Sequence, residues 1–122
     1  MTCKNAGGNF KISLSAAESA SHHAQLNLGA GTTATSYPHE FQTFNDAVKF
    51  ANPKCNRDGK GKRQQTLLEF PVFPDGHQYP FNSKPRANPG NARVIFTSPS
   101  KDFCGVISHT EKDNKGRFAW CT

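Results

Sequence analysis

The sequence predicts an α+β fold with an antiparallel sheet, and three observations predict it. A single segment near the N-terminus carries helical periodicity with start and stop signals. The chain after it breaks into short apolar runs separated by turn residues, with no second helical pattern to act as a parallel crossover. Apolar residues make up 34%, below the usual share, and glycine plus proline number 18 (10 plus 8), which means short elements and long ordered loops.

The elements follow in order. Gly7-Gly8 separates Thr2-Cys3-Lys4 from Phe10-Lys11-Ile12, the pattern of a short hairpin. Ser15-Ala16-Ala17-Glu18 has capping-box spacing, Leu14, Ala17, Ala24 and Leu28 share one stripe, and Gly29 suits the position just past a helix end. His22 and His23 are adjacent, so they face different directions, and surface or cap positions account for them. After a Gly/Thr/Ser loop, residues 37–41 read as a short strand with Tyr37, His39 and Phe41 on one face. A basic loop over 51–65 leads into Thr66–Phe73, the longest strand-like run. There Leu67, Glu69, Pro71 and Phe73 point one way while Leu68, Phe70 and Val72 point the other. Pro71 favours an edge position for this strand, because proline cannot donate to a central ladder. A proline-rich connection, opened by the turn Pro74-Asp75-Gly76, leads to the strand Ala92–Thr97. Next come the strand Asp102–His109, with Phe103, Gly105, Ile107 and His109 on one face, and the closing strand Arg117–Cys121.

At 122 residues the chain is expected to form one domain, residues 1–122. No apolar run approaches the ~20 residues that span a bilayer. Four cysteines, two of them almost at the termini, point to two disulfides and an oxidising compartment. Four cysteines allow three pairings, and the nearness of domain termini favours Cys3–Cys121 with Cys55–Cys104 left as the second. A zinc site would want close ligand pairs, yet no two cysteines lie nearer than 17 residues (104 to 121). The chain thus reads as a secreted protein in mature form, with Met1 an added initiator. The formal charge of +6, from 15 Lys and Arg against 9 acids, favours a polyanion partner: a nucleic acid, an acidic membrane surface or an acidic protein. Residues 54–63 hold Lys54, Arg57, Lys60, Lys62 and Arg63 against Asp58 alone.

Four successive strands each place one polar, reactive group beside apolar neighbours: His39, Glu69, Arg93 and His109. A carboxylate among apolar residues loses solvation and needs a cation or donor beside it. Together the four groups suit the cleavage of RNA, whose 2′-OH can attack the adjoining phosphorus without metal or cofactor. That reaction needs a base for the 2′-OH, an acid for the departing oxygen and donors on the phosphoryl oxygens. Glu69 beside Arg93 suits the base, His109 the acid, and Arg93 a two-point grip on phosphate. His39 and the Tyr37 hydroxyl can donate to the same centre. Glycoside hydrolysis would want two facing carboxylates, and this face carries one.

Four segments then carry a family resemblance: Ser36-Tyr37-Pro38-His39, Leu68-Glu69-Phe70-Pro71, Ala92-Arg93-Val94-Ile95, and the run from Cys104 to Thr110. Their order and spacing are similar to the fungal guanyl-specific ribonucleases. The runs Leu67–His77 and Asn88–Ile95 most resemble the ribotoxin (sarcin/restrictocin-like) branch. The resemblance implies one helix packed on a five-stranded antiparallel sheet with an N-terminal hairpin, and the pairing Cys3–Cys121 with Cys55–Cys104. It implies Glu69 as general base, His109 as general acid, Arg93 as phosphate ligand, Tyr37 and His39 as electrostatic support, and Phe118 packed beside the phosphate. Phe41, Phe44, Asn45 and Asp46 fall in the base-reading segment, and Lys60, Lys62, Arg63, Lys84 and Arg86 are expected along the RNA backbone.

The chain departs from the ribotoxin pattern in a much shorter N-terminal hairpin, a thinner basic loop at Ser83–Arg86, and Phe118 where ribotoxins carry Leu. Asn45 stands at the aligned guanine-reading carboxylate, and an amide cannot supply both acceptor oxygens. Three functions follow: a monomeric ribotoxin-like endoribonuclease cutting ribosomal RNA, a general guanyl- or purine-preferring ribonuclease, and an inactive RNA-binding effector. The complete set of reactive groups disfavours the last.

Overall fold

The structure, a computed structural model, describes residues 1–25, 34–35, 37, 39–41, 50–56, 58–62, 64–98, 102–113 and 115–122. A two-stranded hairpin, β1 (Thr2–Cys3) and β2 (Phe10–Lys11), pairs Thr2 with Lys11 and Cys3 with Phe10. The helix α1 (Leu14–Gln25) follows. Five antiparallel strands form the main sheet in sequence order: β3 (His39–Glu40), β4 (Thr66–Pro71), β5 (Ala92–Ser98), β6 (Phe103–Glu111) and β7 (Lys115–Trp120). Four of these strands are long, and β3 is a two-residue edge.

Helix α1 starts two residues sooner than the capping-box reading placed it. The Ser13 hydroxyl accepts from the Ala16 backbone N–H at 3.0 Å, so Ser13, and not Ser15, satisfies the first free donors. The buried stripe is Ala17, Ala20, Ser21 and Ala24, while Leu14 is 54% exposed. Leu28 and Gly29 lie outside the described residues. Small residues on this stripe let the helix approach β4, β5 and β6 closely.

The sheet separates two apolar clusters. On the helix side, Leu68, Phe70, Val72, Val94, Phe96 and Val106 pack with the α1 alanines, Ile12 and Tyr79. On the other side, Leu67, Ile95 and Ile107 pack with Phe41, Phe50 and the Cys55–Cys104 disulfide. Cys3–Cys121 joins the two ends of the chain.

One edge assignment and two face assignments need correction. Strand β4 is interior, between β3 and β5, and Pro71 is tolerated because β3 stops opposite Glu69. The Val72 N–H donates to Ala92 in β5, so the side on which Pro71 lacks an N–H faces the ground β3 leaves uncovered. Phe73 lies beyond the end of β4 and joins the helix-side cluster instead of sharing a face with Glu69. Phe103 also packs on the helix side, because the β5–β6 register slips: Ile95 faces Gly105 while Phe96 faces Phe103. The extra residue at this bulge turns Phe103 away from the Ile107 face. Gly105 has φ +147, and a Cβ there would lie 2.4 Å from Trp120 Cζ3, so both backbone and space require glycine.

Candidate active site

Alternation along regular strands brings most of the expected groups onto the face opposite the helix. Glu69 on β4 sits directly across from His39 on β3 and Ile95 on β5. Arg93 lies two residues from Ile95, so it is the diagonal neighbour of Glu69. Arg93 in turn faces Ile107, and His109 is two residues further along β6. His109 faces Phe118 on β7. The line His39, Glu69, Arg93, His109, Phe118 therefore crosses all five strands.

Glu69 and Arg93 are both buried, at 7% and 2% exposure, which is unusual for charged residues unless they are paired. Arg93 Nε lies 3.6 Å from Glu69 Oε1, too long for a hydrogen bond but close for an ion pair. Nη1 is already committed, donating to the carbonyls of Pro89 at 3.2 Å, Gly90 at 2.8 Å and Ala92 at 2.9 Å. Among the described residues, Arg93 Nε is a buried donor with no hydrogen-bond partner. Leaving such a donor unpaired costs roughly 1–3 kcal/mol, and an incoming anionic oxygen beside Glu69 would recover it.

The residues just before Arg93 were missed as site residues. Besides the three carbonyls on Nη1, the Asn91 carbonyl accepts from the His109 backbone N–H at 2.9 Å. One short segment, residues 89–92, thus holds both Arg93 and His109. Gly90 has φ +68, and a Cβ there would press on Phe73 Cε1 at 3.0 Å. The sequence signal was the turn composition Asn88-Pro89-Gly90-Asn91 immediately ahead of the strand.

The flanking aromatics are set by packing. The Phe118 ring lies 4.1 Å from the His109 ring at 32°, and Phe41 meets Phe118 edge-on at 5.7 Å. Tyr37 does not share a strand face with Phe41: β3 is only His39–Glu40, and the Tyr37 ring is buried in the helix-side cluster, edge-on to Tyr79. It nevertheless reaches the site. The guanidinium carbons of Arg86 and Arg93 lie 4.9 Å and 5.4 Å from its ring centroid.

The basic residues divide into two groups. Lys60 and Lys62 are exposed on a turn whose backbone N–H groups donate to Asp58 Oδ1 at 2.8 Å and 2.9 Å. Gln64 ties that turn to the carbonyls of Pro53 and Asn56, next to the disulfide at Cys55. Lys84 and Arg86 are exposed on the loop that precedes β5. Phe44, Asn45, Asp46 and Arg63 lie outside the described residues.

The sequence profile of the ribonuclease family matches residues 2–122. The chain belongs to the ribonuclease family. The ribonuclease is 48% identical over 123 residues to ribonuclease alpha-sarcin of Aspergillus giganteus, covering 87% of this chain and 68% of that protein. Ribonuclease mitogillin of Aspergillus restrictus is 44% identical over the same span. The crystal structure of the Aspergillus ribotoxin restrictocin superposes with a TM-score of 0.80 at 39% identity, covering 99% of this chain and 97% of that one. Restrictocin complexed with a 29-mer sarcin/ricin domain RNA analog gives 0.81 at 38% identity and the same coverage. This ribonuclease is an endoribonuclease of ribotoxin-like type, with the helix-on-sheet fold that the resemblance implied.

Proposed function

We propose that this ribonuclease cuts the sarcin/ricin loop of large-subunit ribosomal RNA and so stops translation. The observation that carries the chemistry is the buried Glu69–Arg93 pair, whose Arg93 Nε has no hydrogen-bond partner among the described residues, on the same sheet face as His109. Likeness to restrictocin, a structure of which holds a sarcin/ricin RNA analog, carries the substrate.

In this reading Glu69 takes the proton of a 2′-OH, and the oxygen attacks the adjoining phosphorus to form a 2′,3′-cyclic phosphate. The P–O5′ bond breaks, and His109 gives its proton to the departing 5′-oxygen. Arg93 Nε donates to a phosphoryl oxygen as negative charge builds there, while the carbonyls of Pro89, Gly90 and Ala92 prevent the guanidinium from swinging to follow it. His39, opposite Glu69, and Tyr37, beneath Arg93, support the same centre. Phe118 and Phe41 exclude water beside His109. Lys60, Lys62, Lys84 and Arg86 hold the RNA backbone, with Arg63 and the base-reading residues Phe44, Asn45 and Asp46 completing the interface. Action as a monomer is part of this reading. The two disulfides support secretion.

A general, purine-preferring ribonuclease is the second reading. Phe118 against His109 and the short hairpin favour it, since the ribotoxin pattern has Leu and a long arm at these places. Treating intact ribosomes and naked RNA in parallel separates the two. A single discrete large-subunit fragment is the expected product, and smearing of both samples would overturn the ribosome-specific reading.

A further inference from the structure

We propose that Asn5, in the turn of the N-terminal hairpin, is a positioning residue for His109. The inference rests on the reading of His109 as the general acid.

Strand β6 loses regular pairing with β7 beside His109: His109 faces Phe118 and Glu111 faces Lys115, with a register break between them. A break in a ladder leaves backbone carbonyls without strand partners and lets the local backbone rotate, which re-aims the side chains there. The β1–β2 turn sits on this break. Asn5 Nδ2 donates to the His109 carbonyl and to the Glu111 carbonyl, each at 2.8 Å, and the Ala6 N–H donates to the carbonyl between them, on Thr110, at 2.8 Å. Three successive carbonyls of the acid-bearing strand therefore accept from two adjacent hairpin residues.

The opposite side of His109 is held as well, because its N–H donates to Asn91. The His109 backbone is thus fixed at its N–H by the segment that grips Arg93 and at its carbonyl by Asn5 at 2.8 Å, beside the Ser108 hydroxyl at 3.0 Å. Asn5 is itself pre-oriented: its Oδ1 accepts from the Gly7 N–H at 2.8 Å, and its N–H donates to Asn9 Oδ1 at 3.1 Å. With Oδ1 turned to the turn, Nδ2 is left pointing at β6. Cys3–Cys121 anchors the hairpin two residues away, so the clamp has a firm base. The consequence is mechanical. A hairpin too short to reach far from the body of the protein serves the geometry of the acid.

The test uses a dinucleoside phosphate, a substrate too small to touch hairpin and basic loops at once, beside ribosomal RNA. Asn5→Ala removes the clamp and the turn bond. Asn5→Asp is nearly isosteric, can still accept from Gly7, and cannot donate to His109 or Glu111. Both variants are expected to lower kcat on the dinucleoside phosphate about tenfold, with KM within about twofold, because misplacing a proton donor harms the transition state more than binding. The His109 imidazole resonances should broaden or shift in both, while Tm falls by only a few degrees. Unchanged kcat in the folded Asn5→Asp protein overturns the proposal, as does a loss confined to ribosomal RNA, which would make Asn5 a substrate contact. His109→Gln serves as the separate control. Full activity in that variant would remove the acid assignment itself, whatever Asn5 does.

Discussion

The two faces of the β4–β5–β6 sheet are built from alternate residues of the same strands, yet they differ in kind. The helix-facing side is continuous hydrocarbon: Leu68, Phe70, Val94, Phe96 and Val106 against alanines. The opposite side interleaves Leu67, Ile95 and Ile107 with Glu69, Arg93 and His109. One face removes apolar area from water and holds the fold together. The other uses a smaller apolar cluster as the setting that brings a carboxylate, a guanidinium and an imidazole onto one face. Period-two alternation lets one strand serve both ends without compromise.

Glu69→Gln should show the largest effect, on the rate alone. Losing the proposed base is expected to lower kcat about 10³-fold, equivalent to about 4 kcal/mol of barrier, with the folded structure kept. Cleavage at the wild-type rate would remove Glu69 from its role and blur the division of the two faces. Phe70, fully buried one residue along the same strand, should behave the opposite way. Phe70→Ala is expected to cost about 3 kcal/mol of stability by denaturant titration, with kcat of the folded fraction little changed. A large kcat loss at full folding would show that the faces are coupled.

Gly105→Ala probes the bulge between them. The added methyl meets Trp120 in a backbone conformation that alanine resists, so stability should fall by about 2 kcal/mol. The rate should fall too, since β6 carries His109 a few residues on. A wild-type unfolding midpoint would show that Trp120 yields freely. The smallest expected effect lies away from both faces, at Asp75. Its carboxyl is held below its ordinary value of 3.8, first by the His77 backbone N–H and then by the His77 side chain. A depressed value means stability that is present above the unfolded value and lost as pH falls through the folded one. Asp75→Asn should therefore lower Tm slightly at neutral pH, and the gap should close below about pH 3.8. A gap that persists in acid would assign it to shape instead of charge.

Much of this was legible in the residues. Alternation in Thr66–Val72 separated Glu69 from Phe70 correctly, while turn residues placed strand ends only roughly: β6 runs on past His109 to Glu111, and β7 starts at Lys115 instead of Arg117. The reading failed where alternation itself stops. Phe73 and Phe103 were placed on the site face, yet one lies beyond its strand and the other beyond a bulge, and no period-two count survives either. Ser13 was passed over for Ser15 because the box spacing favoured the later serine, while the helix start is decided by which hydroxyl meets a free N–H.

Fold class, the strand that carries Glu69 and the chemistry open to its polar residues were readable from the residues alone, because side-chain type and local period are properties of the chain. Packing in three dimensions set the rest: Arg93 is held by the carbonyls of residues 89, 90 and 92, and Asn5 reaches the carbonyls of His109 and Glu111. Backbone carbonyls are the same in every residue, so a sequence does not announce which of them will accept. That is settled when a turn, a bulge or a disulfide brings distant backbone within about 3 Å of a donor.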